Sequence, residues 1–154
     1  EESDNYGSLS TKLSNMGADL MISSINQYLN KKIQPLLQDE SLVTLAPKIM
    51  KEELLIDWSK KSSLINAQIK AFSPYPGAYT FVNGKRIKFF ESELIIENSC
   101  KGSGSVESVT SDYFDIACND GYLRIKKVQL EGKKAMSSKD FILGMPTLEN
   151  SKFG

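Results

Sequence analysis

The stretch IDWSKKSSLINAQIKAFSPYPGAYTFVNGKRIKFF, residues 56–90, changes its hydrophobic period halfway along. Over residues 60–72 the apolar side chains Ile65, Ile69 and Phe72 recur at steps of three and four, with Leu64 alongside, which predicts an amphipathic helix. Ser59 is its candidate N-cap, following a strand-like Ile56-Asp57-Trp58. Pro74 restricts Ser73 and cannot continue the helix, and Pro76-Gly77 completes a corner. Tyr75, between two prolines, is expected to pack inward and seal that corner. From Ala78 the period becomes two. Residues 79–82 and 86–90 read as strands joined at Asn83-Gly84, the dipeptide that suits a type I′ turn because both positions need positive φ.

Downstream, the same alternation continues. Strands are predicted over residues 94–97, 106–109, 113–118 and 122–130, with a loop over NSCKGSGS and a turn at Asn119-Asp120-Gly121. In the last of these strands Leu123 and Ile125 share one parity, whereas Val128 and Leu130 share the other. A β-bulge near Lys126-Lys127 reconciles them. Ser137 or Ser138 caps a short helix through Phe141-Ile142-Leu143, ended by Gly144, and residues 146–154 are expected to be a loose tail. The fold class is mainly β with flanking α-helices: a small antiparallel β-barrel over residues 56–145.

Upstream, the apolar residues Leu9, Leu13, Met16 and Leu20, continued by Met21, Ile25 and Leu29, predict a long helix capped by Ser8. Gly17 inside it suggests a close neighbour, and the apolar stripe needs a surface to cover. Residues 33–55 form an extended linker held out of helix by Pro35 and Pro47, with enough apolar side chains to lie against a protein surface.

The 154 residues contain no histidine, which excludes Ser-His-Asp and Cys-His nucleophile systems and an imidazole general base. Cys100 and Cys118 read as reduced thiols, and their spacing fits no metal site. No apolar run is long enough for a membrane helix, and the polar start EESDNYGS is unlike a signal or transit peptide. Formal net charge is zero, yet residues 1–40 hold three lysines against six acids. Residues 121–139 hold six basic residues against Glu131 alone. Strand alternation sets Arg86 and Lys88 on one face and Arg124 and Lys126 on another, with Lys127, Lys133 and Lys134 extending the charge. These seven are the candidate phosphate contacts for a polyanionic partner.

The segments LQDESLVTLAPKI, IDWSK, AFSPYPGAYT and EGKKAMSSKDF resemble the C-terminal part of the methionyl-tRNA formyltransferase family, and the resemblance covers nearly the whole chain. It departs at Leu37 and Tyr75, where the family commonly has Pro and Trp. The resemblance implies residues 1–32 as the last helix of the catalytic domain, 33–55 as the interdomain linker and 56–145 as an OB-like tRNA-binding domain. It also implies a partner in initiator methionyl-tRNA, another in the N-terminal Rossmann-like catalytic domain, and 10-formyltetrahydrofolate as co-substrate of the full enzyme rather than a ligand of this chain. Family catalysis is assigned to an Asn, a His and an Asp in that other domain. No residue here matches them, so no catalytic residue is carried over and the chain alone is expected to be inactive. The implied location is the bacterial cytoplasm, with the mitochondrial matrix as the alternative. Two other readings stay open: the corresponding piece of a sugar-nucleotide or formyltetrahydrofolate formyltransferase, and a stand-alone OB-like binding module.

Overall fold

The computed structural model describes residues 1–95, 97 and 101–154. Its centre is one antiparallel sheet built from β1 (Ala78–Val82), β2 (Lys85–Ile95), β3 (Val106–Val109), β4 (Phe114–Cys118), β5 (Gly121–Leu130) and the two-residue β6 (Met136–Ser137). The strands lie in the order β1-β2-β5-β4-β3, with β6 added to β5. The Asn83-Gly84 turn is as expected: φ is 49° and 74° at its two positions, and Val82 pairs with Lys85. Strand 86–90 of the sequence reading and the first two residues of strand 94–97 fall in one long strand, β2, which ends at Ile95. Ile96, Asn98, Ser99 and Cys100 lie outside the described residues, and with them part of the expected loop and one of the two thiols.

The bulge expected on β5 is present. Phe89 faces Val128 and Glu91 faces Lys127, which leaves Phe90 unopposed; Ser92 faces Ile125, which leaves Lys126 unopposed. Each skipped residue shifts parity once, so Leu123, Ile125 and Val128 are all fully buried although their spacing is uneven. Alternation fails in β4, where all five residues are buried. Of its outward positions, Asp115 is hydrogen-bonded to Arg124, whose guanidinium lies over the Tyr113 ring.

The helix α2 (Ser62–Ala71) packs Ile65 and Ile69 onto this sheet, with Phe72 partly buried and Leu64 left exposed. Ser59 does not cap it; its amide and hydroxyl both bind the Asp57 carboxylate, closing a turn before the helix starts. Residues 56–58 form no strand, but Ile56 N–H donates to Tyr79 O and Trp58 enters the core edge-on to Phe89, with ring centroids 5.7 Å apart. Tyr75 does not seal the corner. It stands 77% exposed, because the space beneath the corner is filled from the sheet by Phe90 and the Lys88 stem, both touching the position of Gly77. The helix α3 (Ser138–Leu143) starts at its cap Ser137, ends at Gly144, and packs Phe141 against Phe114 with tilted rings 5.6 Å apart.

The C-terminal segment is not loose. Leu148 and Phe153 are each 1% exposed, and Phe153 sits among Trp58, Phe89 and Phe114. The sequence reading missed this because a lone Phe carries no period. β1 and β3 do not pair with each other, so the sheet is not closed; residues 152–154 join the end of β1 to Gly104-Ser105, the residues just before β3. Phe153 N–H donates to Gly104 O, and Gly154 N–H donates to Phe81 O.

The long helix α1 (Tyr6–Leu29) begins earlier than expected. Asn5 is its cap and Ser8 the reciprocal partner three residues on, an Asn-to-Ser capping box. Only its first turn is held to the barrel: Gly7 N–H donates to Ser73 O, and a Cβ at Gly7 would sit 2.5 Å from Pro74 Cδ. The rest of this helix of about 36 Å buries no residue, and nothing packs at Gly17. The linker behaves likewise, with Leu36, Leu37 and Leu45 at 94%, 100% and 89% exposure. It contacts the barrel where the Gln68 amide donates to the carbonyls of Glu53 and Leu55. The surface that this stripe and linker were expected to lie against is absent from this chain's own described residues.

Candidate nucleic-acid interface

The seven cations named from the sequence fall into two groups. Arg124, Lys126 and Lys127 follow one another along β5, and each meets an acid. Arg124 donates from its guanidinium to both carboxylate oxygens of Asp115, at 3.1 and 3.2 Å, while its charged end lies 3.7 Å from the centroid of Tyr113. Asp115, 2% exposed, also accepts from Ser108 Oγ at 2.8 Å. The hydrogen bond to Asp115 raises the Arg124 pKa further above its ordinary value, so this cation is permanent. It is also committed to the fold. Lys126 pairs with Glu93 at 2.7 Å, and this contact holds the Glu93 carboxyl below its usual range. Lys127 pairs with Glu91 at 3.2 Å. These two pairs are half-exposed, so their net hold is weak and a phosphate can compete for the ammonium groups.

The second group lies at the other end of β2 and β5. Arg86 faces Phe81 across the hairpin and stands 3.6 Å from Glu131, and Lys88 faces Tyr79 and donates to Pro76 O at 2.7 Å. Lys88 is thus aimed by a neutral acceptor. Lys133 and Lys134 follow in the exposed turn after β5, which is fixed by Lys133 N–H to Leu130 O and by the Gln129 amide to Lys133 O. Among the described residues neither lysine side chain has an ion pair. Lys85, which the sequence reading passed over, lines the same recess as Lys133, between the hairpin tip and α3. Its position beside the Asn-Gly turn was the available signal.

The chain matches the family model described as the formyl transferase C-terminal domain over residues 48–146. It belongs to that family. Among curated relatives, it is 39% identical over 144 residues to a methionyl-tRNA formyltransferase of Dictyoglomus turgidum, covering 92% of this chain and 46% of the relative. It is 36% identical to one of Syntrophus aciditrophicus (92% and 45% covered) and 35% identical to one of Bacillus licheniformis (100% and 49% covered). The chain therefore spans about half the length of the curated relatives it matches. Among solved structures, HypX from Aquifex aeolicus in complex with tetrahydrofolic acid superposes with a TM-score of 0.66 at 20% identity, over 80% of this chain and 22% of that one. At that identity the likeness to HypX extends to the fold alone.

Proposed function

We propose that this chain is the C-terminal part of a methionyl-tRNA formyltransferase and that its barrel holds the backbone of initiator methionyl-tRNA while a catalytic domain outside this chain transfers the formyl group. The observation that carries the reading is the match over residues 48–146 joined to relatives of one description at 35–39% identity. The exposed lysine turn adjoining Arg86 and Lys88 supplies the physics. Lysine and arginine gain by binding phosphates because condensed counterions are released, and contacts of that kind position a nucleic acid without reading its sequence. Lys133 and Lys134 carry most of this, Arg86 and Lys88 orient it, and Lys126 and Lys127 join by exchanging their glutamates for phosphates. Arg124 contributes field rather than contact.

The apolar stripe of α1 and the uncovered linker are, on this reading, the seat of the Rossmann-like catalytic domain, and 10-formyltetrahydrofolate is that domain's co-substrate. The place of work is the bacterial cytoplasm, where translation is initiated. With no histidine to serve as base, the chain alone is expected to transfer no formyl group.

The test is a salt titration of tRNA binding by the chain and by its Lys133→Ala/Lys134→Ala variant. Log affinity should fall linearly with log salt, at roughly −0.7 to −0.9 per phosphate neutralised. The variant should bind initiator and elongator tRNA about equally more weakly, with the slope flatter by about two units. Unchanged affinity and slope would show that these lysines are only solvated.

A further inference from the structure

The outer face of the β1–β2 hairpin carries a second chemistry beside its charge. Along β1, Ala78, Thr80 and Val82 point inward and are buried, while Tyr79 and Phe81 point outward. Their rings are edge to face with centroids 5.8 Å apart, and Phe81 is 40% exposed. Directly across the hairpin stand Lys88 and Arg86, and the Arg86 guanidinium lies 5.8 Å from the Tyr79 centroid. The core is filled from the other face by Ile87 and Phe89, so these outward aromatic rings are not required to complete it. Glu131 pairs with Arg86 at 3.6 Å, and Lys88 on the strand and Lys85 at its tip add two further cations.

We infer that this face stacks an unpaired base of the bound RNA on Phe81, beside Tyr79, while Arg86 and Lys88 take the flanking phosphates. The inference rests on the phosphate-binding reading above and adds to it a preference for unpaired over paired RNA. Charge complementarity selects the occupant: an aromatic surface with cations along one side suits a ligand whose flat rings alternate with anions. Stacking on an aromatic side chain tolerates any base, because every base has a π-face, so the preference would be for strandedness and not for sequence.

The test uses two RNAs, a hairpin with 2-aminopurine in its unpaired loop and a blunt duplex of the same stem. Binding of the hairpin should quench the 2-aminopurine and should be about fivefold or more tighter than binding of the duplex. Phe81→Leu keeps an apolar side chain at an exposed site and should abolish both the quench and the preference, whereas Phe81→Tyr should keep both. Equal binding of the two RNAs by the parent, or an undiminished quench in Phe81→Leu, overturns the stacking site and leaves the phosphate reading standing. If neither RNA binds at low salt, the phosphate reading falls and the stacking site with it.

Discussion

Asp115 and Asp120 are five residues apart and do opposite work. Asp115 lies under the sheet's outer layer and holds Arg124 by two hydrogen bonds, so removing the carboxylate strands a largely enclosed guanidinium. Asp115→Ala should cost about 3 kcal/mol, the low end for breaking a buried pair, because Arg124 is still 24% exposed; urea denaturation reads it. Asp120 lies at the surface, in the β4–β5 turn, and accepts the Ser62 N–H at 2.7 Å. It thereby caps α2, whose own preceding residue Lys61 offers no side-chain cap. The Ser62 hydrogen bonds hold the Asp120 carboxyl below its ordinary 3.8. A depressed folded value means the stabilisation is complete above pH 3.8 and is lost as pH falls through the folded value. Asp120→Asn should therefore melt below the parent at pH 6, and the two melting temperatures should converge in more acid solution. A gap that stays constant down to pH 2 would mean that the charge has no part in the cap.

At the scale of elements, the segment Leu148–Phe153 is a structural part of the barrel. Phe153 is enclosed by three other rings, so Phe153→Ala should cost about 3–5 kcal/mol. Gly104, at φ 82°, lies against the Phe153 carbonyl with no room for a Cβ, and Gly104→Ala should cost about 1–3 kcal/mol through the same segment. Thermal melts of the two single variants and the double variant check this. The double should lose less than the sum, because both act on one contact. This segment also marks what the sequence could reveal. The hairpin, the β5 bulge and α3 were legible because their signals are local: Asn83-Gly84, a parity change at Lys126-Lys127, and Ser137 before a short apolar run. The docking of Phe153 and the capping of α2 from Asp120, 58 residues away, have no local signature. Nor was it legible that Arg124 belongs to the fold more than to the surface, since strand parity places a residue on a face without revealing what covers it.

Over the whole molecule, the barrel is self-sufficient and α1 is not. Leu13, Met16, Leu20 and Leu29 are 57–71% exposed, a contiguous apolar stripe that soluble monomers seldom present. In a dilute monomer, amide exchange should be slow in β2, β4 and β5 and fast along α1 beyond its first turn. If the proposed function holds, addition of the separately produced catalytic domain of a curated relative should slow exchange selectively over residues 9–29. Slow exchange there in the dilute monomer would count against an unpartnered helix. The strip of chain lying between β1 and β3 has a colloidal consequence as well. Exposed strand edges invite pairing with other copies, and residues 152–154 occupy at once the end of β1 and the segment leading into β3. A chain shortened by its last few residues would thus carry two adjacent templates for strand addition, and its losses would be seen as fibrous or amorphous deposits before they were seen as unfolding.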